Sequence, residues 1–245
     1  MNYLSNRNVV LNSFIVEYDI RHANINVSKY YNLYKDLKYL DTLDALPKKD
    51  REVQFGLLLR KNPDLSKSLE KAFNDIVNEF LSVNGLDLDI DVISVKKDAV
   101  YVLNKKVKQT TFGPVEFVDK NRYHAYMHLN KMEFYIGADK IDVKGIGESY
   151  KQHRDGILIL IQELIEILET GRDAHEFLSE LCYFYKSRQM DLNVYREFNS
   201  RSQYKCTIED NLVYMDNISY EILDTSCDIS YNYVNLILPL IRLLL

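Results

Sequence analysis

Apolar and polar positions along the first half of the chain predict alternating strands and helices. Residues 14–20 are rich in β-branched and aromatic side chains and predict a strand that closes on the acidic Asp19. Residues 23–38 carry apolar side chains at roughly helical steps and predict a helix, followed by a polar connection over 41–49. Residues 64–83 have the clearest amphipathic pattern, and an Asn-Gly pair directly after them predicts where that helix stops.

Residues 92–102 predict a β-hairpin. Two short apolar runs flank the charged residues Lys96, Lys97 and Asp98; the runs are too short for a core helix, and their charged centre suits a turn. A carboxylate at such a tip is held by two strands and points into solvent, which suits a metal ion. The alternative is that Asp98 is simply a polar turn residue.

The pattern changes from strands to helices in the second half of the chain. Short alternating runs predict strands, and longer apolar patterns after Ser149 predict two helices. The strands are predicted at 113–118, 123–127, 133–136 and 140–146, and the helices at 157–168 and 174–190. This order predicts an α+β fold with a division near 148, after which helices dominate.

Composition narrows the class of protein. The 245 residues allow one large domain or two small ones, and a net charge of −5 means that nucleic-acid binding needs a local basic patch. Three widely spaced cysteines form no disulfide framework or zinc motif and favour a reducing cytosol. No signal peptide is apparent, and the apolar run 234–245 is too short to span a bilayer, so no membrane association is expected. The abundance of Asn, Lys, Ile and Tyr is typical of an AT-rich phage or other viral genome.

Two acidic residues form the first candidate site. Asp19 closes a strand, and Asp98 lies at a hairpin tip. Two carboxylates on neighbouring strands of one sheet can bind two divalent ions ~3.5–4 Å apart, which align an attacking hydroxyl, a phosphorus atom and a leaving pyrophosphate. A lysine on a facing helix, such as Lys48, can neutralise a triphosphate in such a site.

The order of several short motifs resembles the palm of the family B DNA polymerases. Residues 19–26 occupy the place of the family's D-x-x-S-L-Y-P-S motif. Lys48, with the aromatic residue and the glycine of 52–56, follows the spacing of the fingers motif K-x-x-x-N-S-x-Y-G. The hairpin resembles V-I-Y-G-D-T-D-S-V-F-V, with Asp98 at its second aspartate and Lys96 at its first. Further matches are residues 120–123 to K-K-R-Y, 144–146 to K-G-hydrophobic-E and 153–155 to R-R-D. The resemblance covers roughly residues 10–170.

The resemblance implies a fold and an activity. The fold is an antiparallel palm-like sheet with packed helices at 1–148, including very short fingers at about 35–64, followed by a mainly helical thumb-like region and tail at 149–245. The activity is template-directed nucleotidyl transfer with Mg²⁺ or Mn²⁺ as cofactor, on nucleoside triphosphates and a primer-template.

The resemblance also assigns roles to individual residues. Asp19, Asp98 and Lys48 are the expected catalytic residues, and Asp19, Asp98 and the Ile20 carbonyl are the expected metal ligands. Asn24 and Lys48 are the expected nucleotide contacts. Asn24 replaces the tyrosine with which the family closes off the ribose 2′-hydroxyl, so weaker exclusion of ribonucleotides is expected. The expected contacts to the nucleic-acid backbone are Lys120, Arg122, Tyr123, Lys144 and Arg154.

Departures from the family leave other hypotheses open. Lys96 replaces an acidic residue and would repel metal ions unless it turns away. The chain is alternatively a catalytically inactive palm-like module that binds nucleic acid, or an accessory subunit of a viral replication or transcription assembly whose residues 237–245 are buried by a partner. Taken singly, Asp19 also suits a helix N-cap, and the lysines suit a solvated surface. In each case the expected location is the cytoplasm of the host.

Overall fold

The computed structural model describes residues 2–129, 132–145, 154–173, 175–177, 179, 183, 205–208 and 211–214. The strands are β1 Asn2–Leu4, β2 Val9–Val10, β3 Ile15–Ile20, β4 Val92–Lys96, β5 Ala99–Leu103, β6 Thr111–Phe112, β7 Val115–Tyr123, β8 Ala125–Leu129, β9 Met132–Ile136, β10 Ile141–Lys144, β11 Lys205–Ile208 and β12 Asn211–Tyr214. The helices are α1 Ala23–Tyr30, α2 Leu37–Asp44, α3 Lys48–Lys61, α4 Pro63–Asn84, α5 Leu88–Asp91 and α6 Arg154–Glu169. Antiparallel sheets with several helices confirm the predicted α+β class.

Contacts within the chain divide it into two compact units. The first comprises Met1–Arg7 and Ser13–Tyr123, and the second comprises Asn8–Asn12 and His124–Leu245. The contact boundary therefore follows β7, whereas the division of palm-like and thumb-like roles near residue 148 stays a prediction.

The first unit is built on a six-stranded antiparallel sheet with the order β1-β4-β5-β3-β7-β6. The predicted hairpin at 92–102 is present as β4 and β5, and β3 lies in the middle of the sheet between β5 and β7. Because side chains alternate between the two faces of a strand, Val16, Tyr18 and Ile20 face the core while Glu17 and Asp19 lie on the opposite face.

Helix α4 closes the core of the first unit. Its apolar stripe is buried, and the ring of Phe80 stacks on Phe117 of β7 with centroids 4.2 Å apart. The helix begins at Pro63 and ends at Asn84, and the next residue, Gly85, has a φ of +60°, the left-handed conformation that glycine adopts easily. The predicted helix and its predicted stop are both confirmed.

The region between Tyr30 and Lys48 differs from the sequence prediction. A single helix over 23–38 is wrong, because α1 ends at Tyr30 and Asn32 adopts a positive φ of 51°. A new helix, α2, begins after Asp36, whose side chain accepts a hydrogen bond from the Tyr39 amide at 3.0 Å. The expected polar connection over 41–49 is therefore mostly helical.

The second unit contains a four-stranded sheet with the order β10-β9-β8-β2, and a separate hairpin of β11 and β12. Apolar side chains of β8 and β9 form one buried cluster with Ile161, Leu164, Ile165 and Ile167 of α6. Helix α6 and strands β8 to β10 confirm predicted elements. The predicted helix over 174–190 lies mostly outside the described residues, and the apolar run 234–245 lies wholly outside them. In the described part of the chain, no helix has the length and apolarity needed to cross a membrane.

Candidate active site

The sheet brings Asp19 and Asp98 to the same place. Asp19 pairs with Ala99 across β3 and β5, and the amide of Ile20 donates to the carbonyl of Asp98 at 3.1 Å. The turn between β4 and β5 consists of Lys97, with a φ of +53°, and Asp98, whose amide donates to the Lys96 carbonyl at 2.6 Å. The position of both carboxylates is thus set by backbone pairing.

The two carboxylates influence each other electrostatically. Asp98 is partly buried, so its carboxylate points less freely into solvent than a turn position predicts. Burial first, and then the nearby negative charge of Asp19, raise the pKa of Asp98 above its ordinary value. A cation bound between the two groups would relieve this repulsion.

A β-bulge places a lysine in the site. Glu17 pairs with Asn121 and Tyr18 pairs with Asp119, so Lys120 is the extra residue of β7. Its ammonium contacts the Asp19 carboxylate and lies 4.0 Å from Oε1 of Glu17. The hydrogen bond to Asp19, opposed by partial burial and reinforced by the nearby carboxylates, raises the pKa of Lys120.

Glu17 lies beneath this lysine and is held by neutral donors. Only 3% of its side chain is exposed. Its carboxylate accepts hydrogen bonds from Tyr101 at 2.9 Å, Tyr123 at 3.0 Å and the Asn121 amide group at 2.5 Å. All four residues share one face of the sheet, so the carboxylate is fixed in place.

A pocket of about 390 Å³ opens beside the two aspartates. Its strand side carries Asp19, Ile20, Asp98 and Lys120. Its helix side carries residues from the start of α1 and from α3, namely Arg21, His22, Ala23, Asn24, Ile25, Lys48, Arg51, Glu52 and Phe55. The structure thus brings together the residues predicted to be catalytic, metal-binding and nucleotide-binding: Asp19, Ile20, Asn24, Lys48 and Asp98.

The helix side of the pocket is basic. The pocket is lined by the first residues of α1, where the amides of Ile25 and Asn26 donate to the His22 carbonyl at 3.0 and 3.1 Å. Lys48 begins α3, has an 81% exposed side chain and lies 3.9 Å from Glu52. Arg51 donates to the Leu46 carbonyl at 3.3 Å. The strand side of the pocket therefore carries two carboxylates with Lys120, and the helix side carries Arg21, Lys48 and Arg51 with Glu52.

His22 is a pocket residue that the sequence interpretation did not select. It adopts a positive φ of 47° between β3 and α1, and its Nδ1 lies 2.6 Å from Oδ1 of Asp44. Asp44 also accepts from Lys29 at 3.3 Å. Burial alone would raise the pKa of Asp44, but the hydrogen bonds from His22 and Lys29 lower it below its ordinary value. The contact depends on the packing of α2 against α1, which no short motif reveals.

Asn24 is held by the hairpin tip. Its side-chain oxygen accepts from Nζ of Lys97 at 3.3 Å, and the same ammonium lies 4.6 Å from the centre of the Phe73 ring. Asn24, at the predicted sugar-selecting position, therefore both lines the pocket and contacts Lys97 of the hairpin.

Four other predicted nucleic-acid contacts are not among the residues that line this pocket. Arg122 is an exposed residue that pairs with Asp119 at 2.8 Å, and Tyr123 is buried against Glu17. Lys144 is the last residue of β10 and Arg154 is the first of α6, both in the second unit. A groove formed by these residues stays a prediction.

Lys96 occupies a position that matters for metal binding. It pairs with Ala99, which pairs with Asp19, so the three residues form one row on the same face of the sheet. At the usual strand spacing, the Lys96 backbone is about 10 Å from that of Asp19. Lys96 does not line the pocket.

The donor set of the pocket suits a hard divalent cation. Two carboxylates and a nearby backbone carbonyl are the oxygen ligands that Mg²⁺ accepts, with water completing the shell. Across the described residues, no group of three or more His, Cys, Asp or Glu side chains is arranged to hold a metal. Two carboxylates that repel each other fit a divalent cation, and the Lys120 ammonium at Asp19 competes with that cation.

Comparison with known proteins places the chain in a phage family. No curated protein matches it. The family described as "Bacteriophage PBS1 gene 130 protein" matches residues 1–245, which supports the phage origin that the composition predicts. Because the match spans the whole chain, this protein belongs to the Bacteriophage PBS1 gene 130 protein family.

Proposed function

We propose that this protein is a minimal polymerase-like nucleotidyltransferase that acts on a primer-template in the infected host cell. One observation carries the proposal: a single pocket joins the Asp19 and Asp98 carboxylates at one end to His22, Lys48 and Arg51 at the other. A metal-bound nucleoside triphosphate has the complementary distribution of charge, with cations near the reacting phosphorus and anionic oxygens beyond it.

The strand side of the pocket would hold the metal. Asp19 and Asp98, with the Ile20 carbonyl, would bind Mg²⁺ or Mn²⁺. When bound, these ions neutralise charge on the phosphoryl group and align the attacking and leaving oxygens. The backbone pairing of Asp19 and Ile20 with the hairpin keeps the two carboxylates on neighbouring positions of the sheet.

The helix side would hold the triphosphate. The side chains of Lys48 and Arg51 are donors for phosphate oxygens. Asn24 lies at the same end and would face the sugar. Lys120, Arg122, Lys144 and Arg154 would contact the backbone of the primer-template, without reading its bases. The predicted contact of Tyr123 is not proposed, because Tyr123 is buried and its hydroxyl donates to Glu17.

Primer extension tests the proposal. A labelled primer-template is incubated with Mg²⁺ or Mn²⁺ and either ribo- or deoxyribonucleotides, beside Asp98→Asn and the control Asp64→Asn. Asp64 is an exposed residue in the first turn of α4 and does not line the pocket. Extension by wild type and by Asp64→Asn but not by Asp98→Asn is the expected result. Equal extension by all three proteins rejects the pocket as the active site.

The second candidate function is a catalytically inactive palm-like module that binds nucleic acid or other replication or transcription proteins. The observation that favours it is the ammonium of Lys120 on the Asp19 carboxylate, with a second lysine, Lys96, in the same row of the sheet. Duplex binding that falls steeply with salt, without extension under any metal, would identify this function.

A further inference from the structure

Lys120 lies where a cation bound by Asp19 would lie. Its ammonium contacts the Asp19 carboxylate, and it lines the pocket that also contains Asp98. The ammonium occupies Oδ2 of Asp19, so a metal ion that binds through this oxygen must compete with it. Repulsion between the two cations makes the competition stronger.

A bulge in β7 holds Lys120 in this place. In an unbroken ladder the residue after Asp119 would pair with Glu17, but here Asn121 does so and Lys120 is left without a pairing position. A bulge re-aims the side chain of the extra residue. Lys120 consequently lies on the same face as Val118, Glu17 and Asp19, and Asn121 next to it shares that face because it takes the pairing position opposite Glu17.

A second carboxylate lies within reach of the same ammonium. Oε1 of Glu17 is 4.0 Å from the Lys120 nitrogen and accepts a hydrogen bond from Tyr101, while Oε2 accepts one from Tyr123. The Lys120 side chain is 51% exposed, so its ammonium can turn away from Asp19 without disturbing the core. A lysine displaced from Asp19 thus keeps a negative neighbour and gains access to solvent.

We propose that Lys120 is an internal counter-ion that a divalent cation displaces from Asp19, and that the displaced ammonium then binds a phosphate of the primer-template. This inference rests on the proposed function, because it requires a metal at Asp19. It goes further by coupling two binding events. Metal and duplex each strengthen the binding of the other by the same factor, as reciprocity between linked sites requires.

The first experiment measures metal binding without nucleotide or nucleic acid. Mn²⁺ is titrated into wild type, Lys120→Met and Lys105→Met, and free Mn²⁺ is followed by electron paramagnetic resonance. Lys105 is the matched control, since it also forms a close ion pair, 2.6 Å from Asp91, but lies outside the pocket. Loss of the competitor should tighten Mn²⁺ binding by Lys120→Met about 5-fold or more, and Lys105→Met should bind like wild type.

The second experiment measures the coupling. Binding of a fluorescent primer-template duplex is followed by anisotropy at constant ionic strength, with and without Mn²⁺. Wild type and Lys105→Met should bind the duplex several-fold more tightly when Mn²⁺ is present. Lys120→Met should show no such gain, because it has no ammonium to transfer. Circular dichroism confirms that each variant is folded.

Different outcomes reject different parts of the proposal. Equal Mn²⁺ affinity in wild type and Lys120→Met overturns the counter-ion role and leaves the proposed function standing. Tighter Mn²⁺ binding with an unchanged gain in duplex affinity overturns the transfer to phosphate. Absence of Mn²⁺ binding in all three proteins overturns the metal site, and with it both the inference and the proposed two-metal reaction.

Discussion

The two ends of the pocket are built differently. At the strand end, Asp19 and Asp98 are positioned by sheet pairing and a two-residue turn, so their separation is fixed by backbone geometry. At the helix end, Lys48 reaches the pocket from an 81% exposed side chain whose nearest acidic partner is Glu52 at 3.9 Å. The strand end is therefore preorganised, whereas the helix end can adapt to an anion. The predictions below test this difference.

The largest effect is expected at the strand end. Asp19→Asn should lower primer extension roughly 100-fold or more, because it removes a fixed charged ligand from the reacting centre. Asp98→Asn should lower primer extension by a similar factor. The thermal stability of this variant without metal should rise slightly at neutral pH. The raised pKa of Asp98 means that its ionised form is less stable in the fold than in the unfolded chain. A clear loss of stability in Asp98→Asn would show that Asp98 is a structural turn residue.

A smaller effect is expected at the helix end. Lys48→Ala should raise the KM for nucleotide about 10-fold, since one charge-assisted hydrogen bond to phosphate is worth about 1.5–3 kcal/mol, and should leave the melting temperature unchanged. Glu52→Gln is the matched control, because it removes the ion-pair partner on the same turn of α3 but not the cation. If Lys48→Ala lowers kcat without raising KM, the helix end acts in the chemical step and the contrast between the two ends is wrong.

A further test concerns sugar selection at Asn24. Wild type should incorporate ribonucleotides readily, and Asn24→Tyr should increase the preference for deoxyribonucleotides on the order of 10-fold by filling the space near the sugar. Lys97→Ala is the informative companion, because Lys97 holds the Asn24 side chain at 3.3 Å. Incorporation ratios in wild type as low as those of ordinary DNA polymerases would contradict the prediction for Asn24.

The smallest effect concerns acid stability beside the helix end. Hydrogen bonds from His22 and Lys29 lower the pKa of Asp44 in the fold, although burial opposes them. The contribution of ionised Asp44 to the free energy of unfolding is therefore fully present above the pKa of an unfolded aspartate. It is lost as pH falls through the lower pKa of Asp44 in the fold. Asp44→Asn should remove on the order of 1 kcal/mol at pH 7 and less near pH 3, as measured by thermal melts.

A second ion pair in the same unit gives the control for that measurement. The pKa of Asp91 is also lowered, against burial, by the hydrogen bond from Lys105 at 2.6 Å. Asp91→Asn should show the same loss of acid-sensitive stability, but it should leave nucleotide KM unchanged because Asp91 does not line the pocket. If Asp44→Asn and Asp91→Asn change KM equally, the change comes from lost stability and not from the pocket.

Much of the strand end could be predicted from the sequence, and physical reasons explain this. The hairpin of β4 and β5 follows from two short apolar runs around a charged turn, and β3 follows from an apolar run before Asp19. Helix α4 follows from helical spacing and ends before a glycine. These features are local, so a short window of sequence contains their cause.

The contacts that the sequence could not predict depend on tertiary structure. The contact of Lys120 with Asp19 requires a bulge in β7, and an irregular ladder leaves no periodic signal. The contact of His22 with Asp44 requires α2 to fold back on α1, and the break between these helices follows a positive φ at Asn32 that composition does not reveal. The helix end of the pocket was therefore only partly predictable.

The bulge makes Lys120 an insertion in the structural sense. Val118 already pairs with Asp19 and Asn121 with Glu17, while Asp119 pairs with Tyr18 between them. Removal of Lys120 by deletion would leave a regular ladder in which each neighbour keeps its partner and its face of the sheet. Strand β7 can thus gain or lose the Lys120 cation without moving any other side chain to the opposite face of the sheet.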